Sequence, residues 1–169
     1  MNVRSAPEYE SFTASLAANL RATHRVDVVA SGKTNKLKGK SGVLHQVDVS
    51  FIDSTAGSPM LVVVECKNLQ SKAAGVPLAY VKVLKATLDD LNGHPDHPPT
   101  LKGMIISTVR LQRSAAIFAK FYGIEYQVLS AGDNWSFKYA NALQVGLALQ
   151  AGAATIAGVA AVHRRQNPG

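Results

Sequence analysis

Leu61-Val62-Val63-Val64-Glu65-Cys66-Lys67 decides how this chain reads. Four apolar residues run into an acid and a base that stand one residue apart. In a strand successive side chains alternate faces, so Glu65 and Lys67 point one way and Cys66 the other. An apolar strand has no packing use for a Glu and a Lys at its end; such groups need a partner or a task. Upstream, Leu44-His45-Gln46-Val47-Asp48-Val49-Ser50-Phe51-Ile52 is a second apolar run broken by one acid. Paired as a hairpin, the two runs bring Asp48, Glu65 and Lys67 together. Two carboxylates and a lysine at a strand end suit a divalent cation and an activated water.

Around that pair, 169 residues are enough for one α/β domain with a sizeable core and too few for two comfortable ones. The balance is basic, 18 Lys and Arg against 11 Asp and Glu, giving a formal charge of +7. Such an excess suits a polyanion or an anionic surface, although solubility alone also accounts for it. Cys66 is the sole cysteine, which excludes a disulfide framework and fits a reducing compartment. The N-terminus lacks the apolar core of a secretory signal, so a cytoplasmic location is expected.

Taken in order, residues 5–22 read as a helix. Ser5 and Glu8 have capping-box spacing, Pro7 suits the first turn, and Tyr9, Phe12, Leu16 and Leu20 form one apolar stripe. Glu10 lies off that stripe, where a helix Glu is ordinarily solvated. Residues 25–30 read as a strand. Residues 31–42 hold four lysines (Lys33, Lys36, Lys38, Lys40) and three glycines, which reads as a loop leading into the Asp48 strand. Gly32-Lys33-Thr34 lacks the earlier glycine of a phosphate-binding P-loop, since position 27 is Asp. After a turn over 68–75, Pro77 opens a helix with Leu78, Val81, Leu84, Leu88 and Leu91 on one face; Lys82 and Lys85 fall on other faces, solvated or meeting phosphate. His94, Asp96 and His97 occupy a loop with too few ligands for zinc. A strand over 102–109, a helix over 111–122 stopped by Gly123, and a strand over 124–129 follow. Arg110 and Arg113 flank the start of that last helix, within reach of a phosphate.

Asp48 followed by Glu65-x-Lys67 resembles the PD-(D/E)xK nuclease superfamily, with Val47 where its proline would stand. The Gln-x-x-x-Tyr that some branches carry on the following helix is not present. Tyr9-Glu10-x-Phe12-x-x-x-Leu16 is similar to the first helix of Mrr-type restriction endonuclease domains. That likeness implies that Glu10 reaches toward the active site as an auxiliary residue. The passage from Met104 to Ile124, a strand ending in Ser-Thr followed by an Ala-rich helix and Gly-Ile, also looks like the Mrr-type domain. The resemblance implies an α/β, restriction-endonuclease-like fold, an αβββαβ core with a central mixed sheet flanked by helices. The order read here, αβββαβαβ from about residue 7 to 130, matches it.

Asp48 and Glu65 would hold a hard cation, with the Cys66 backbone carbonyl as a third oxygen; Mg²⁺ is expected, with Mn²⁺ as a substitute. Lys67 would orient the attacking water and stabilise developing charge. His45 stands three residues before Asp48 and so faces away from it in a regular strand. The expected activity is metal-dependent endonucleolytic hydrolysis of DNA by a homodimer, with RNA as a second candidate substrate. Lys33, Lys36, Lys38, Lys40, Lys82, Lys85, Arg110 and Arg113 would line the nucleic acid. Two other readings are a Holliday-junction resolvase and a non-catalytic nucleic-acid-binding or membrane-associated module on the same fold. The nuclease domain is assigned to residues 1–130, and residues 131–169 to a connector and an apolar C-terminal helix. Residues 142–162 run uncharged for 21 positions between Lys138 and His163-Arg164-Arg165, a length that meets the transmembrane criterion. Their Ala, Gly and Gln content argues against insertion, and small residues four apart favour a helix packed on the domain or on a dimer partner.

Replacing Lys36, Lys38 and Lys40 with Ala is expected to weaken binding to every DNA sequence alike. The salt dependence should flatten by roughly one counterion per lost contact. An unchanged slope in a salt titration would return these lysines to ordinary solvation.

Overall fold

Three consecutive β-branched valines, 62–64, favour extended backbone and resist helix. In the computed structural model, which describes residues 14–15, 17–18, 27–54, 57–69 and 75–128, they lie in the middle strand of the main sheet. The strands are β1 (Asp27–Ser31), β2 (Lys36–Lys38), β3 (Leu44–Gln46), β4 (Val49–Asp53), β5 (Met60–Lys67), β6 (Thr100–Ser107) and β7 (Glu125–Val128). Helix α1 (Leu78–Leu91) joins β5 to β6, and α2 (Arg113–Phe121) joins β6 to β7. Ala14, Ser15, Ala17 and Ala18 are helical, inside the span expected to form the first helix. Glu10 and residues 142–162 lie outside the described residues.

The sheet order is β1-β4-β5-β6-β7. β1, β4 and β5 pair antiparallel, whereas β5, β6 and β7 pair parallel, so the sheet is mixed. A central mixed sheet flanked by helices, in this order, is the restriction-endonuclease-like architecture. Val62, Val63 and Val64 are all fully buried, as a strand covered on both faces requires. Leu61 and Val63 pack with Val81, Leu84 and Leu91 of α1 and with Ala115 and Ala119 of α2. Gly103 allows that approach, because a Cβ there would stand 2.5 Å from Leu88 Cδ1. No helix among the described residues is long and apolar enough to cross a membrane.

Two expectations are corrected. Residues 31–42 are not all loop: β2 pairs antiparallel with β3 as a separate two-stranded sheet. In β2 the short alternation Lys36-Leu37-Lys38 turns both lysines outward and buries Leu37 in the core. One apolar residue among lysines and glycines is too weak a period to announce a strand. The run 44–52 is also not one strand, since it breaks at Val47-Asp48 between β3 and β4. The break is held by Val47 N–H donating to Asn35 O at 3.1 Å and Gly32 N–H donating to Asp48 O at 2.9 Å.

The hairpin lies along α1 and is latched at its tip. The Asp90 carboxylate accepts from Ser41 N–H at 3.0 Å, from Ser41 Oγ at 2.6 Å and from His45 Nε2 at 2.7 Å. Lys40 N–H donates to the Asp90 carbonyl at 2.8 Å. His45 therefore serves the latch. A Cβ at Gly39 would run into the same carboxylate. The hydrogen bond from His45, then those from Ser41, lower the Asp90 pKa from 3.8 to about 2.

A folded value below the unfolded one means that the stability from Asp90 is present above its ordinary pKa and is lost as pH falls toward about 2. Protection of the amides of residues 39–46, their exchange relative to the unstructured rate at the same pH, is expected to fall across that window in the parent. Asp90→Asn should show low protection at neutral pH already and change little on acidification. Equal protection in both proteins at neutral pH would show that the latch does not hold the hairpin.

Candidate functional site

The register of β4 on β5 builds the site. Val49 pairs with Val64 and Ser50 with Val63, so one further step sets Asp48 opposite Glu65. The ladder ends there, and the Asp48 side chain takes over: its Oδ2 accepts the Cys66 N–H at 2.7 Å. Glu65 and Lys67 share the face of Leu61 and Val63, and their side chains form an ion pair, Nζ to Oε1. Lys67 Nζ also stands 4.5 Å from the ring centroid of Tyr80, in the first turn of α1. Cys66 points to the opposite face and is buried. The structure thus brings Asp48, Glu65 and Lys67 together at the C-terminal end of β5.

The electrostatics follow from the crowding. Burial, then the neighbouring Asp48 carboxylate, raise the Glu65 pKa against the opposing pull of Lys67. Burial is the largest single influence on the Lys67 ammonium and works against it, but the charge and hydrogen bond of Glu65, joined by Asp48 and Tyr80, together outweigh it and the Lys67 pKa is raised. The cluster therefore holds two acids and one base in a half-open setting, with Glu65 25% and Lys67 18% exposed. Hard carboxylate oxygens crowded on one another fit a hard cation, which would relieve the repulsion between them. Among the described residues no three His, Cys, Asp or Glu side chains gather as a metal cluster. Asp48 and Glu65 would therefore be the side-chain ligands, and backbone or water oxygens would complete the shell.

The loops at this end of the sheet are fastened to one another. Thr108 N–H donates to Lys67 O at 3.1 Å. Thr108 Oγ1 accepts from Leu69 N–H at 3.0 Å and donates to Leu69 O at 3.1 Å. Val76 N–H donates to Arg110 O at 2.9 Å, and Gly75, at φ +64°, leaves room for that carbonyl where a Cβ would stand 2.8 Å from it. Exposed Arg110 and Arg113 stand at this same end. The other cations are spread more widely. Lys33 and Lys36 are exposed near the Asn35–Val47 contact, close to the site. Lys40 sits against Asp90, ten residues along α1 from Tyr80 and so roughly 15 Å away at 1.5 Å per residue. Lys38 lies between them. Lys82 is exposed on α1. Lys85 pairs with Asp89 and stacks 4.9 Å from the Tyr122 ring, lining a cavity of about 370 Å³ beside Lys102 and Gly103. That cavity is at the Thr100 end of β6, away from Glu65.

Sequence reasoning missed Tyr80, Thr108 and Asn68. Tyr80 carried one signal, being the sole aromatic on its helix and off the Leu78/Val81/Leu84 stripe. Thr108 carried none, because its partners are 39 residues away. Asn68 follows Lys67 and is buried, and its Oδ1 has no hydrogen-bond partner among the described residues.

No protein-family model matches the chain, and no curated protein does. Solved structures do. A crystallised protein of unknown function, AF1548, superposes with a TM-score of 0.58 at 16% identity, over 76% of this chain and 62% of its own. A repair endonuclease from Pyrococcus abyssi gives 0.49 at 18% identity, over 78% of this chain and 50% of its own. EndoMS in its apo form gives 0.43 at 14% identity, over 72% of this chain and 47% of its own. The likeness is one of fold, and this chain spans 62% and 50% of the first two proteins.

Asn keeps an oxygen for the Cys66 amide while removing the charge that presses on Glu65. Asp48→Asn is therefore expected to melt no lower than the parent in chelator. Millimolar Mg²⁺ should raise the parent Tm, with about 2.7 kcal/mol gained at a hundredfold excess over Kd, and should raise the variant less. An identical metal response in the two proteins would remove Asp48 from the ligand set.

Proposed function

We propose that this chain is a metal-dependent endonuclease of the Mrr type that hydrolyses phosphodiester bonds in DNA. The observation that carries the reading is Asp48 set across from Glu65 at the end of β5, with Lys67 on the same face. A structural ion pair needs one acid. A second carboxylate beside it raises the free energy of the empty cluster and is useful when a cation and a phosphate arrive.

Asp48 and Glu65 would hold Mg²⁺ through their oxygens, and the Cys66 carbonyl is the proposed third ligand. When bound, the ion supplies charge neutralisation at the phosphate and a lowered pKa for a coordinated water. Lys67, whose charged form Glu65 favours, would donate to a phosphoryl oxygen and aim the water. In the reaction the water oxygen forms a bond to phosphorus while a P–O ester bond breaks, and the water proton leaves to solvent or to the departing oxygen. Exposed Arg110 and Arg113 would meet flanking phosphates, and the exposed lysines of β2 would extend that track along α1. The division into a nuclease domain over 1–130 and a tail over 131–169, the homodimer and the cytoplasmic location belong to the same proposal.

Cleavage assays on duplex, single-stranded, methylated and four-way-junction DNA, run beside thermal melts, test it. Asp48→Asn and Glu65→Gln should each abolish Mg²⁺-dependent cleavage and leave DNA binding intact or tighter, since repulsion between carboxylate and phosphate falls. Lys67→Ala should cost about 10²-fold or more in rate, the scale of one lost preorganised electrostatic group. Strong preference for junctions would favour the resolvase reading. Activity that merely tracks folded fraction in all three variants, or a parent without cleavage in Mg²⁺ or Mn²⁺, would favour the non-catalytic module.

A further inference from the structure

Lys67 has a second contact that the ion pair does not explain. Its side chain is a flexible stem that loses rotamer freedom whenever it is aimed. Glu65 is the obvious anchor, yet under the proposed function Glu65 is also the residue that a cation would claim. Once its oxygens are shared with a divalent ion, their hold on the ammonium weakens. A lysine held by Glu65 alone would be released at the moment it is needed.

The fold supplies another anchor. Tyr80 sits in the first turn of α1, its N–H donating to Pro77 O at 3.2 Å, and its ring is packed against the core under that helix. It presents its face to Lys67 Nζ at 4.5 Å. A ring face attracts a cation through its quadrupole, and most strongly when both are partly desolvated. This attraction does not depend on the charge of Glu65. Resting on the nuclease reading above, we propose that Tyr80 is a positioning residue: its ring face keeps the Lys67 ammonium in the site when a cation takes the Glu65 carboxylate. Two anchors of different physical kind then hold Lys67 in turn, the carboxylate before loading and the ring after it.

The ring itself reports the contact. A methylene over an aromatic face is shifted upfield by the ring current, so the Lys67 ε-methylene resonance should lie upfield of other lysines. It should stay there as Mg²⁺ is titrated into the full chain. Tyr80→Phe, which keeps the face, should preserve the shift. Tyr80→Leu, which keeps apolar bulk alone, should lose it, with folding checked by circular dichroism. In cleavage assays Tyr80→Leu should lower kcat by about 3- to 30-fold, the span that typical cation–π strengths correspond to in rate. KM for DNA should be unchanged, and Tyr80→Phe should recover most of the rate. Return of the parent resonance to an ordinary lysine position on adding Mg²⁺ would overturn the proposal. So would a folded Tyr80→Leu protein that lacks the shift and cleaves at the parental kcat. A parent that keeps the shift in Mg²⁺ but cleaves no substrate would leave the Tyr80 anchor standing and sink the nuclease reading instead.

Discussion

One hydrogen bond, from the Cys66 amide to the Asp48 carboxylate, fixes what the rest of the site can be. β4 leaves β5 at Val49, so β5 has a backbone donor with no ladder partner on that side. Satisfying it with a side chain, rather than another residue of β4, turns the end of a hairpin into a chemical setting. Asp48 is thereby held at the level of Glu65, and its carboxylate is tied by one oxygen. The apolar core enforces the arrangement. A slip of β5 by one residue would send Glu65 and Lys67 toward the side where Val49, Phe51 and Val64 are buried, and would expose Cys66 in their place.

The cluster carries an electrostatic cost. Burial and the adjacent Asp48 raise Glu65, so keeping it ionised works against the folded state. Lys67 offsets part of that cost through its own charge. Local frustration of this kind, in a chain whose other strands obey simple patterning, is what a functional site is expected to show.

Much of this was legible in the residues. The valine run, the leucine spacing of α1 and the strand leading to Ser107 all follow periods that burial on one or two faces imposes, and each formed where those periods end. The Asp48–Glu65–Lys67 grouping was legible too, because charges at the close of an apolar strand have few alternatives. The β2–β3 hairpin was not. Its one buried apolar residue, Leu37, gives no readable period, and Asp90, which fastens its tip, lies 45 and 49 residues from its partners. Tyr80 was visible as an unplaced aromatic, but the partner of its ring depends on how α1 crosses β5. No local pattern encodes a crossing.

A pair of antiparallel strands has two ends, and here they have been given different freedoms. The proposed chemistry would be confined to the end where Asp48 meets Glu65; the turn between Asp53 and Met60 is at the other, about 17 Å away at 3.3 Å per residue. Doubling the length of a flexible loop costs only about 0.6 kcal/mol in closure entropy. The far turn can therefore lengthen, shorten or change composition with little effect on the geometry of the carboxylates, whereas the Val47-Asp48 break cannot move by one position. The hairpin separates a part of the protein that is free to diverge from a part that is not.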